Sequence, residues 1–206
     1  MVGKTITLKV KDDDITNHPD TSSAASNSFD LQGTLALASL TIAGQTVSSG
    51  QTFTVGDAVA IAWTPNGITD FDVYYKIGSA ADVKVNGSVI TGQNNYNFNV
   101  LSGMVGNGVV LKVKDANGNH PAVSTSPSNA FAVKGTIGIT TQPVGSAGTI
   151  VTVNDSMTIE WSPTGNITSF DVFYKIGSGS EVKINGGVIT TNSYNFYVLS
   201  AMVGKN

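Results

Sequence analysis

Two loops carry the densest set of potential metal ligands. Asp12, Asp14, Asn17 and His18 in KDDDITNHPD (residues 11–20) align with Asp115, Asn117, Asn119 and His120 in KDANGNHP (residues 114–121). Alternating side-chain oxygens of this kind suit Ca²⁺, and Asp12, Asp14, Asp115 and Asn117 are the candidate ligands. The spacing is not that of an EF-hand, however, and no Glu closes either loop. Asp and Asn also cap their own backbone in solvated turns. A turn is therefore the expectation, with no resident metal and no cofactor. Tyr74 and Phe173 occupy matching positions beside Lys76 and Lys175, and could stack on a sugar ring or cover cross-strand neighbours. Catalytic sets are absent: the chain has two His, no Cys and only Glu160 and Glu181 as glutamates. No Ser lies in a nucleophile elbow, and no glycine-rich phosphate loop opens a helix. An enzyme is not expected.

Composition narrows the partners. The net charge is −3, and all eleven basic residues are Lys. Without Arg, the usual bidentate reader of phosphate, nucleic acid is a poor partner. The longest apolar runs fall far short of the ~20 residues a spanning helix needs, so membrane insertion is not expected. Charged residues are only 12% of the chain, which contains 23 Gly. That mix suits short strands joined by turns and is common in extracellular β-proteins.

The elements that hold these residues repeat. MVGKTITLKVKD (residues 1–12) returns as MVGNGVVLKVKD (104–115), and SNSFDLQG (26–33) returns as SNAFAVKG (128–135). MVG occurs a third time at 202–204. The complete unit is residues 34–135. In QTFTVGDAVAIAWTP (51–65), Val59, Ile61 and Trp63 alternate with alanines, and Met157, Ile159 and Trp161 repeat the pattern. A period of two marks a strand with one buried face. ITDFDVYYKIG (68–78) and ITSFDVFYKIG (167–177) give the next strand. Asn86-Gly87 and Asn185-Gly186 are hairpin signals. YNFNV (96–100), 108–114 and 130–134 complete the set. About seven short strands over ~100 residues define an all-β fold of two-sheet sandwiches.

These motifs resemble a family of Ig-like repeats found in fungal Ser/Thr-rich GPI-anchored and cell-wall-assembly proteins and in large prokaryotic surface proteins. The resemblance rests on residues 41–63, FDVYYK (71–76), YNFNV and SNAFAV. The tryptophan lies on the second strand, as in fibronectin type III-like sandwiches. The resemblance implies an extracellular or cell-surface location and a structural or adhesive role.

The repeats imply tandem Ig-like (fibronectin III-like) β-sandwiches, one complete and two complementary halves. Residues 1–33 supply the last two strands of a split sandwich, 34–135 a complete one, and 136–206 the first five strands of another. Ile6, Leu8, Val10, Phe29 and Leu31 should fill the face left open at Phe170, Val172 and Tyr174. The expectation is head-to-tail self-assembly by strand complementation. Burying five large apolar side chains would contribute roughly 8–15 kcal/mol before ordering costs, comparable to the stability of a small domain. Two alternatives remain open: the halves could pair within one chain, or the chain could be a slice of a longer array. A glycan-binding adhesion module, with Tyr74 and Phe173 as its contact face, is the alternative function.

Overall fold

Alternating apolar and small polar residues build the strands of this chain, described here from a computed structural model covering residues 2–14, 16–19, 21–143 and 148–204. Among the described residues there is no α-helix, only strands and two short 3₁₀ turns. The expected all-β architecture is present.

The chain forms two compact units. The first comprises Met1–Phe53, Asp57–Val100 and Gly106–Ala132; the second comprises Thr54–Gly56, Leu101–Val105 and Val133–Asn206. The amino-terminal hairpin belongs to the first unit. Among the described residues, its strands β1 (Gly3–Ile6) and β2 (Phe29–Leu31) pair only with each other.

The complete sandwich follows. Its strands are β3 (Thr34–Ile42), β4 (Gln45–Thr46), β5 (Thr52–Thr54), β6 (Ala58–Asn66), β7 (Asp70–Ile77), β8 (Val83–Lys84), β9 (Ile90–Thr91), β10 (Asn95–Asn99), β11 (Gly106–Asp115) and β12 (Phe131–Lys134). One sheet has the order β10-β6-β3-β4. The other runs β5-β12-β11-β7-β8, with β9 also on β7. The two-residue β4 lies inside a stretch that reads as a plain polar turn, and β5 crosses to the opposite sheet. Both are too short for periodicity to reveal.

The core lies between the sheets. Val59, Ile61 and Trp63 of β6 and Phe71, Val73 and Tyr75 of β7 are all buried. Val109, Leu111 and Val113 of β11 are wholly inaccessible, and Phe131 and Val133 of β12 nearly so. Trp63 packs on Phe71 at 5.2 Å, and Phe53 meets the Phe131 ring edge-on at 5.6 Å. Such ring pairs contribute about 0.5–1.5 kcal/mol beyond the area they bury.

The second unit repeats part of this plan. Strands β13 (Thr136–Thr141), β14 (Ser156–Thr164) and β17 (Ser193–Tyr197) form one sheet in the order β13-β14-β17. Among the described residues, only a two-residue pair, β15 (Phe173–Tyr174) and β16 (Val182–Lys183), stands where the second sheet should be. Its small core is Trp161, Phe170 and Ile189.

Glycines at one turn fix how a preceding segment seats on each sandwich. Gly67 and Gly165 have φ of 77° and 90°, a conformation that favours Gly. A side chain at Gly67 would collide with Val2, and one at Gly165 with Val105. Val2 and Val105 are the same residue of the repeat, so the seat is the same in both units. In the first unit it is reinforced by Lys4 N–H donating to the Asn119 carbonyl (3.2 Å) and Gln32 Nε2 donating to that of Ala122 (2.9 Å).

Candidate assembly interface

Among the described residues, no strands cover the apolar residues of β14 and β15 as β11 and β12 cover their counterparts. Met157, Ile159, Val172 and Tyr174 are half-buried, whereas Val59, Ile61, Val73 and Tyr75 in the complete repeat are buried. They line a groove of about 540 Å³ with Ile184, Phe196, Val198 and Met202. In the complete sandwich the corresponding space is filled by β11 and β12. Phe170 departs from the expected exposure. It is only 7% exposed, because its ring packs on Trp161 at 5.2 Å and its backbone bonds to Ile189. The same ring pair exists as Trp63 and Phe71, so the half-sandwich builds this corner of the core unaided. The open face is therefore Val172 and Tyr174 with the β14 and β17 residues, not Phe170.

The hairpin carries the matching residues. Leu8 is 62% exposed, Val10 74%, and Phe29 and Leu31 42% each; Ile6 is half-buried. Their counterparts Leu111, Val113, Phe131, Val133 and Val109 form the core of the complete repeat.

The hairpin already has the shape of the β11–β12 arm. Ser23 N–H donates to the Val10 carbonyl and Ser26 N–H to that of Leu8, both at 2.8 Å. Thr125 and Ser128 make the same bonds to Val113 and Leu111, at 2.9 and 2.8 Å. Val10 N–H donates to Ser23 Oγ and Leu8 N–H to Ser26 Oγ, as Val113 does to Thr125 Oγ1 and Leu111 to Ser128 Oγ. An isolated bridge, Lys11 with Ser22, matches Lys114 with Ser124. These hydroxyls replace ladder bonds and let the two strands diverge.

The loop closing each arm holds the candidate calcium ligands. Asp12 Oδ1 accepts from Asp14 N–H (3.0 Å), and its Oδ2 is 3.0 Å from His18 Nδ1. Asp115 accepts from Asn117 N–H (2.9 Å) and lies 2.8 Å from His120 Nδ1. Asp14 is held below the usual carboxylate value by the side-chain and backbone amides of Asn17. Asn117 Oδ1 accepts from Asn119 N–H (3.0 Å). The oxygens are thus engaged within each loop. Among the described residues no group of three or more His, Cys, Asp or Glu is placed to hold a metal ion.

The outer face of β7 is polar and linked. Asp72 accepts from Lys84 Nζ (2.7 Å) and from Asn86 Nδ2 (2.8 Å), while Asn86 Oδ1 takes the Val73 N–H. Asp171, Lys183 and Asn185 repeat this clasp. It also leaves the Asn86 side chain buried and fully hydrogen-bonded. Tyr74 lies under Lys114 Nζ, 4.4 Å from its ring centre. Phe173 is 50% exposed.

Fold and site thus define a chain of β-sandwich repeats whose second unit leaves apolar residues of β14 and β15 only half-buried. No family model matches the sequence, and no curated protein matches it. One solved structure similar to it is a tetra-tandem repeat from the extending region of a large adhesion protein, at 17% identity with a TM-score of 0.42. The match covers 98% of this chain and 50% of that one, so the chain spans about half that structure's length.

Proposed function

We propose that this chain is an extracellular or cell-surface structural repeat protein, without catalytic activity, that assembles head to tail. The hairpin of one copy completes the open sandwich of the next. The observation that carries this reading is the hairpin itself: it keeps the hydrogen bonds of the β11–β12 arm while exposing Leu8, Val10, Phe29 and Leu31. Its partner is another copy of the same chain, and neither nucleic acid nor a lipid bilayer is involved. A contact between unlike surfaces extends into an open fibre unless its rotation closes a ring. The Ig-like family resemblance and a place on the cell surface belong to the same reading.

A preformed arm lowers the ordering cost of association. An unpaired strand with an apolar face also invites addition of a further strand. The glycan-binding alternative fares less well, since one side of the Tyr74 ring is already taken by Lys114. Sedimentation velocity and negative-stain imaging over a concentration series test the proposal. Oligomers that lengthen with concentration are expected. A monomer at every concentration would overturn it, and is what a slice of a longer tandem array would give.

A further inference from the structure

We propose that the docked hairpin is held in register by a charge clamp on the outer face, formed between Lys9 and Lys11 of one copy and Glu181 of the next, with Lys11 over Phe173. This rests on the assembly proposed above and adds the groups that select the partner's alignment. In the complete repeat, Asp82 Oδ2 lies between Lys112 Nζ (2.7 Å) and Lys114 Nζ (2.8 Å). Lys114 Nζ also sits over Tyr74. Together these tie the outer face of β11 to β7 and the segment leading into β8.

Every member has a counterpart in the split repeat. Lys9 and Lys11 stand where Lys112 and Lys114 do in LKVKD. Glu181 precedes Val-Lys as Asp82 does, and Phe173 replaces Tyr74. All of them are exposed, and among the described residues neither lysine nor Glu181 makes an ion pair. The lysines lie on one half and the acid and ring on the other, so docking is what would join them. A one-residue slip of a strand swaps its two faces. It would bring the lysines inward against Val172 and Tyr174, at a large desolvation cost. The clamp and the apolar face therefore enforce the same alignment from opposite sides. Charges at an interface rim act mainly on association rate and salt dependence.

A charge-reversal set in the full chain tests this, read by sedimentation at low and high salt. Glu181→Lys should weaken assembly about tenfold at low salt. Lys9→Glu with Lys11→Glu should do the same, and the triple reversal should restore assembly. Leu8→Asp serves as the control for the underlying reading and should abolish assembly at any salt. If Leu8→Asp abolishes assembly but Glu181→Lys assembles like the wild type, or the triple reversal fails to restore it, the clamp is wrong and complementation stands. If Leu8→Asp assembles normally, complementation itself falls and the clamp with it.

Discussion

Leu8 and Leu111 are one residue of the repeat in two settings. Leu111 is inaccessible, while Leu8 is 62% exposed. In a dilute, unassembled sample, Leu111→Ala should cost about 2–5 kcal/mol of stability by leaving a cavity. Leu8→Ala should stay within about 0.5 kcal/mol, as surface changes do. Denaturant unfolding checks both, and the two values should approach each other as the sample is concentrated and assembles. Asp82 offers a separate residue-scale test. Hydrogen bonds from Lys112 and then Lys114 hold its carboxyl below the ordinary value of 3.8. A lowered folded-state value means the unfolded chain binds the proton more readily. The ion pairs therefore stabilise the repeat above about 3.8, and that contribution is lost as pH falls through the lower folded value. Asp82→Asn should be less stable than the wild type at neutral pH, and the melting temperatures should converge in acid.

At the scale of elements, β7 and β15 show what a missing neighbour does. The sequences FDVYYK and FDVFYK are nearly the same. Yet β7 runs Asp70–Ile77 against β11, while β15 is only Phe173–Tyr174. The difference lies outside the segment: β11 pairs with β7 from Phe71 to Ile77, while among the described residues β15 pairs only with β16. Docking should therefore extend β15. Amide exchange at residues 170–176 should slow as concentration rises, while the rest of β14 changes little. Exchange that stays fast in assembled material would place the contact elsewhere.

The longer strands, such as β6, β7, β11 and β14, were legible from the sequence because alternation and turn residues are local signals, whereas β4, β5 and the shortness of β15 were not. The open face was largely legible too, since Val172 and Tyr174 can be read against Val73 and Tyr75. Phe170 was not, because its burial depends on Trp161 and Ile189, which lie on other strands. The role of Tyr74 was hidden for the same reason, its cover coming from Lys114 on β11. Asp82 carried no signal of its own, since a lone Asp in a short loop gives no hint that two lysines converge on it. The Asp12 and Asp115 loops were readable as turns, but their pairing with His18 and His120 required the loop's closed path.

At the scale of the whole molecule, the proposed assembly would set one copy's hairpin beside the next copy's β15 in the register seen between β11 and β7. There Val113 is opposite Val73 and Leu111 opposite Tyr75. Transferred to the split sandwich, that register would put Val10 opposite Val172 and Leu8 opposite Tyr174. The chain has no cysteine, so an introduced pair reports cleanly. Directly opposed antiparallel residues lie at the ~4.5–5.5 Å Cα separation that a disulfide tolerates. The most direct measurement is oxidation of the Val10→Cys/Val172→Cys variant, followed by non-reducing electrophoresis, with Val10→Cys/Phe173→Cys as the off-register control. The account predicts a ladder of covalent dimers, trimers and longer species for the first variant and little crosslinking for the second. Crosslinks confined to single chains, or equal ladders from both variants, would contradict it.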